Sequence, residues 1–237
     1  MMQEPVVLIP GMMCDARVFG LQIEDLSRDH IVIVAPPVQG DTIREMAGHI
    51  LDQLPPRFAL AGLSMGGIVA MEIARRAPDR VSRLALISTT PLPDTPAQAA
   101  WREPQIVRAS AGRLDEAMAE SLSPDHMAPG PGRDAVMALV HDMAHRLGAE
   151  MFVRQSRALQ RRPDAQRSLQ RLKIPTMVMC GAHDGLTPPR RHETMAALIP
   201  GAELVILPEA GHLPTLEVPH QVNIGMRAWL DMPLELR

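Results

Sequence analysis

A chain of 237 residues is long enough to bury one sizeable core, and with 22% charged residues and a formal net charge of −3 it has no global field to recruit nucleic acid or an anionic membrane. No Tyr, three Phe and two Trp are too few aromatics for a surface that stacks bases. Two cysteines, Cys14 and Cys180, fall short of a disulfide framework, and Glu4 and Pro5 stand where a secretory signal needs basic residues and a long apolar run. No apolar stretch reaches the roughly 18 residues of a membrane span, so the expectation is a soluble cytoplasmic protein without nucleic-acid or membrane partners.

Pro5 to Pro10, PVVLIP, reads as a short buried strand closed by Pro10-Gly11, and Met12, Met13, Cys14 and Asp15 form the loop after it. Asp15 is expected to cap a helix beginning at Ala16. Ile31 to Ala35 reads as a second buried strand stopped by Pro36-Pro37, and Thr42 to Leu54 as a helix capped by Asp41 or Thr42. Phe58 to Leu63 is then an apolar strand, while Ile68 to Ala77 has apolar residues at helical spacing. Between them Gly62-Leu63-Ser64-Met65-Gly66 leaves no room for a connecting loop. Ser64 is therefore expected in a strained backbone conformation that lifts it clear of the sheet, with Gly62 and Gly66 where side chains would collide.

Leu84 to Ser88 is the next strand, and Pro91, Pro93 and Pro96 mark a change of composition. From there to Lys173 only helical patterns appear, broken by Pro104, Gly112, Pro124, the PGPG of Pro129 to Gly132, and Pro163. Strands resume with Pro175 to Cys180 and Ala202 to Leu207, and helices are expected over Pro188 to Leu198 and Pro219 to Leu230, each with proline in its first turn. Strand and helix alternating at these lengths imply right-handed crossovers and a mostly parallel, doubly wound sheet of about six strands.

The Gly-x-Ser-x-Gly sequence at a strand-to-helix junction resembles the nucleophile elbow of the α/β-hydrolase family. That resemblance extends over most of the chain, with the middle third matching least. It implies a single domain over residues 1–237, with its core in 1–96 and 173–237, a helical lid at about 97–172, and the family's initial antiparallel hairpin absent.

A serine hydroxyl is a poor nucleophile near neutral pH, so it needs a base, and the base needs an acceptor that orients it. Asp184, in Cys180-Gly181-Ala182-His183-Asp184, and His212, in Pro208-Glu209-Ala210-Gly211-His212, each stand just beyond the end of a strand. The order Ser64, Asp184, His212 is the one this family uses. Asp184 could instead cap the helix near Pro188, and Asp94 competes with it because some relatives carry the acid after the preceding strand. By resemblance, the backbone amides of Met12 and Met65 are the expected oxyanion donors, although Pro10-Gly11 replaces the His-Gly of many relatives. Met13, Leu186 and Leu213, with those two methionines, are expected to line the substrate pocket with flexible apolar chains and no aromatic wall.

Other signals compete. His141 and His145 have metal-ligand spacing, but Asp142 stands where a zincin has Glu and no third ligand is evident, so no metal is expected. Arg154, Arg157, Arg161 and Arg162 are read as a solvated face interleaved with acids, with recognition of an anionic substrate group as the alternative. The expected activity is that of a cofactor-free serine hydrolase, cleaving a carboxylic ester or related small acyl compound. Within the resembled family the chain looks most like small esterases, enol-lactone hydrolases and the methyl esterases of biotin synthesis. Lyase or C–C bond hydrolase chemistry on the same scaffold, or a ligand receptor with a vestigial triad, stand as alternatives. Oligomeric state is not legible in the sequence.

Overall fold

A computed structural model describes residues 4–234. Six strands, β1 (Val6–Ile9), β2 (Val32–Val34), β3 (Phe58–Leu63), β4 (Val81–Ile87), β5 (Thr176–Gly181) and β6 (Glu203–Leu207), form one sheet in the order β2-β1-β3-β4-β5-β6. Every neighbouring pair is parallel. Because side chains alternate along a strand, Val6 and Leu8 enter the core on one face while Val7 and Ile9 enter the core on the other. Helices α1 (Gly20–Leu26) and α10 (Pro219–Asp231) cover the first face, where Phe19, Leu26, Met226 and Trp229 are buried. Helices α2 (Ile43–Leu51), α3 (Met65–Arg76), α7 (Gln166–Leu169) and α8 (Pro189–Leu198) cover the second, with Met46, Val69, Leu169 and Met195 inside. Each such side chain contributes about 1.5–3 kcal/mol by leaving water.

Strand β2 differs from expectation. Val32 to Val34 is only half-buried and Ile31 is 60% exposed, because β2 pairs with β1 alone and forms one edge of the sheet. Strand β6 is the other edge and is exposed along most of its length. Full burial belongs to the inner strands, where β1, β3 and β5 have no exposed position. The helix expected at Ala16 opens as a 3-10 turn, Ala16–Phe19, with Asp15 accepting from the Arg17 amide as cap, before α1 begins.

Between β4 and β5 every regular element among the described residues is a helix. Helices α4 (Pro96–Ser110), α5 (Leu114–Ser121) and α6 (Arg133–Gln160) make up most of it, with a 3-10 turn at Pro124–His126 and a break in α6 at Gly148, where φ is 81°. Helix α4 packs against both α5 and α6. The capping box at its start, where Thr95 and Gln98 serve each other's backbone amides, fixes where the insertion leaves the sheet. Among the described residues no helix is long and apolar enough to cross a membrane.

Candidate active site

Chain order reverses direction across the sheet between β1 and β3, and crevices of doubly wound sheets open at such a point, beyond the strands' carboxyl ends. Ser64 sits there. It follows β3 directly and precedes α3 directly, with φ 53° and ψ −117°, a region that non-glycine residues avoid. The packing over-determines this conformation. Ser64 N donates to Ile87 O at 2.8 Å, and Ser64 O accepts from Gly67 N at 3.0 Å and from Thr89 Oγ1 at 2.7 Å. A Cβ on Gly66 would lie 2.0 Å from Ile9 O, and one on Gly62 would lie 2.3 Å from Gly66 O, so only glycine lets α3 start this close to β1 and β3.

His212 comes from the loop after β6. Its Nε2 is 3.0 Å from Ser64 Oγ, and its Nδ1 is 3.0 Å from both Asp184 oxygens. With the imidazole proton on Nδ1 facing the carboxylate, Nε2 is left as the acceptor for the serine hydroxyl. Asp184 also accepts from the Leu186 amide at 3.0 Å, the Thr187 amide at 2.7 Å and the Thr187 hydroxyl at 2.7 Å. Burial works against charge on Asp184, but His212 and Thr187 outweigh it and hold the carboxyl below its ordinary value. Asp184 thus caps the turn that leads into α8 and faces His212 as well. Its competitor Asp94 is fully committed elsewhere, to Arg102 Nε at 2.8 Å and Arg162 Nη1 at 2.7 Å.

Glu217, at the end of α9 (Pro214–Glu217), holds the loop that carries His212. Its carboxylate accepts from Gly211 N at 2.8 Å and Leu213 N at 2.9 Å, one residue on either side of the histidine, and from Ala128 N in the insertion at 2.7 Å. His212 N itself donates to His126 O at 2.8 Å. A different histidine supports the elbow from behind. His192 Nε2 accepts from Thr89 N at 3.0 Å, and burial pushes its pKa down to about 4, so the ring is a neutral acceptor.

A cavity of about 170 Å³ opens onto Ser64 and His212. Met12, Met13, Met65, Leu186 and Leu213 all line it. The amides of Met12 and Met65 have no acceptor among the described residues, and Met65 is the first residue of α3, where backbone N–H groups lack partners within the helix. Met13 differs from its neighbour: it has φ 55° and its amide donates to Gln155 Oε1 at 2.8 Å. Cys14 lines the cavity too, but burial and then Asp15 push its thiol up to about 12, which leaves it a poor nucleophile.

The expected absence of an aromatic wall is wrong. Trp101, from α4, lines the cavity together with Met118, Leu122 and Leu159 of the insertion. Sequence reasoning took wall residues from beside the three polar positions, whereas these arrive from a segment far away in the chain. Thr187 and Glu217 were missed as well; a Thr three residues after Asp184 and a Glu five after His212 were the available signals. His145 Nε2 lies 2.7 Å from Asp115 of α5 and His141 Nδ1 lies 4.0 Å from it, and no group of three potential metal ligands occurs among the described residues. Arg154 pairs with Asp41 at 3.3 Å, Arg157 pairs with Glu103, and Arg161 is exposed. Arg162 departs from the solvated face expected of these four: its side chain is 5% exposed, against Asp94.

A sequence profile described as the Alpha/beta hydrolase family matches residues 6–223. The chain belongs to the α/β-hydrolase family. Its relatives include a pimeloyl-[acyl-carrier protein] methyl ester esterase from Aromatoleum aromaticum, 29% identical over 79% of this chain and 80% of that protein. Among solved structures, a thermophilic esterase from Thermogutta terrifontis, with malate bound, matches with a TM-score of 0.85 and 30% identity, over 96% of this chain and 89% of the other. The enol-lactonase from Burkholderia xenovorans LB400 matches with a TM-score of 0.85 and 25% identity, covering 96% and 91%. This α/β-hydrolase therefore sits among proteins named as esterases and hydrolases.

Proposed function

We propose that this α/β-hydrolase cleaves a carboxylic ester or a related small acyl compound through Ser64, His212 and Asp184, by way of an acyl-enzyme. The observation that carries the reading is the continuous chain of contacts from Asp184 through His212 to Ser64 Oγ, each 3.0 Å long, beside two unpartnered amides in one cavity. His212 Nε2 takes the hydroxyl proton as Ser64 Oγ attacks the acyl carbon. The carbonyl oxygen becomes an oxyanion held by the amides of Met12 and Met65, each worth about 3 kcal/mol to the transition state. Collapse of the tetrahedral intermediate expels the alcohol, which takes the proton back from His212. Water then attacks the acyl carbon with His212 again as base, releasing the acid and restoring Ser64. No step calls for a cofactor.

The names of the relatives support this choice of bond, since an ester, a methyl ester and an enol-lactone all present an acyl carbon joined to oxygen. The cavity favours a short acyl group, because sites for drug-sized ligands run to about 300–1,000 Å³. A fluorophosphonate should add one phosphonyl group to the wild-type protein, read by intact mass, with the label mapping to Ser64. Ser64→Ala should lose both the label and ester turnover. A wild-type protein that neither labels nor turns over short-chain esters would overturn the proposal.

A further inference from the structure

Three arginines, Arg102, Arg162 and Arg191, line the cavity beside one acidic residue, Asp94. Asp94 is 1% exposed and shared: Arg102 Nε takes Oδ2 at 2.8 Å and Arg162 Nη1 takes Oδ1 at 2.7 Å. Arg162 Nε is occupied by Leu92 O at 2.7 Å. Among the described residues nothing bonds the terminal nitrogens of Arg102 or Nη2 of Arg162, and the half-buried Arg191 side chain has neither a hydrogen bond nor an ion pair. Burial, together with Arg102 and Arg191, lowers the Arg162 pKa to about 10, still charged at neutral pH. Taking a guanidinium out of water is costly unless a counter-charge meets it. Asp94 supplies one negative charge for two of the arginines, and the third has none.

We propose that Arg102, Arg162 and Arg191 form an anion subsite in the same cavity as Ser64, and that the natural substrate carries a free carboxylate on its acyl part. A carboxylate is planar, and its two oxygens match the donor fork of a guanidinium, which makes arginine the residue suited to reading it. The acyl side is assigned because a carboxylate on the acyl group stays in the cavity while that group is joined to Ser64, whereas one on the alcohol leaves with it. The side chains of Asp94, Arg162 and Arg102 are 1%, 5% and 14% exposed, which keeps most of the charged wall out of water. This inference rests on the ester-hydrolase reading above. The substrate is then the hemi-ester of a short dicarboxylic acid, or the lactone of a short hydroxy-dicarboxylic acid.

Hydrolysis of monomethyl adipate and of methyl hexanoate, followed by chromatography of the released acids, tests the idea. The wild-type kcat/KM should favour the hemi-ester by at least about tenfold at low ionic strength, a preference of about 1.4 kcal/mol. Arg191→Gln should cut that ratio about tenfold relative to wild type, chiefly through KM. Arg191 carries no ion pair whose loss would unsettle the fold, and Arg102→Gln is the second variant. Isothermal titration of adipate adds a readout that needs no turnover: wild type should bind it and Arg191→Gln should bind it more weakly. Equal or better use of methyl hexanoate, or adipate binding unchanged by both variants, overturns the subsite while leaving the ester-hydrolase reading intact. Loss of fluorophosphonate labelling and of all ester turnover, with adipate still bound through Arg191, overturns the ester-hydrolase reading instead.

Discussion

Thr187 touches both Asp184 and His212 without being one of the three groups proposed to carry the reaction. Its hydroxyl donates to Asp184 Oδ2 at 2.7 Å and lies 3.5 Å from His212 Nδ1, while its amide donates to Asp184 Oδ1. Hydrogen bonds to a charged group are worth about 1.5–3 kcal/mol, and losing one here lets the carboxylate rotate away from the imidazole. Thr187→Val keeps the shape and the amide but removes the hydroxyl. Its kcat should fall about tenfold, equivalent to about 1.4 kcal/mol, with KM for a short ester nearly unchanged. The rate of fluorophosphonate labelling should fall in parallel, since in the proposed mechanism the same proton transfer accompanies attack. Steady-state kinetics with one chromogenic ester decides it, and a rate equal to wild type would remove Thr187 from the positioning of Asp184.

The junction of β3 with α3 is where one atom in the wrong place costs most. Gly66→Ala would drive a Cβ to 2.0 Å from Ile9 O and 2.6 Å from Pro10 O, both of them backbone and unable to yield. The helix must then back away from β1, at a cost of about 3 kcal/mol. Gly20→Ala is the control: it meets nothing within 4 Å at the start of α1, and should stabilise by about 0.4–1 kcal/mol through the unfolded chain. Urea melts of the two variants should move in opposite directions. The elbow was fully legible in the sequence, because apolar period, glycine spacing and absence of a loop all describe one local geometry. Strand β2 was misread as buried, since burial depends on how many neighbours a strand has, and VIV reads the same at an edge as in the middle. Trp101 and the Asp94 cluster were invisible for a related reason. Nothing in α4 says what it faces until it is packed on α6 over the ends of the strands, and only then do residues about 60 to 100 positions apart become one wall.

At the scale of the whole molecule, His192 ties stability to pH. Its pKa is about 4 in the folded protein and near 6.5 for the free side chain, so between those values the unfolded chain binds the extra proton. Stability from this group is complete above about pH 6.5 and drains as pH falls toward 4, with about 2 kcal/mol lost between pH 7 and pH 5. His192→Gln keeps an acceptor for the Thr89 amide and cannot titrate. Plotted as unfolding free energy against pH, the wild type should converge on or cross the variant as pH drops over that range, and parallel curves would clear His192 of any part in acid unfolding. The contacts around His212 carry a different consequence. Because His126 O and the Ala128 amide are tied to the loop that carries His212, residues 126–128 of the insertion behave mechanically as part of the core. Recombination between relatives therefore has a natural seam on either side of that segment. A chimera that exchanges the helices before Pro124 or after Gly132 leaves the His212 loop clasped, whereas one that exchanges the clasp must bring along a matching histidine loop to keep it.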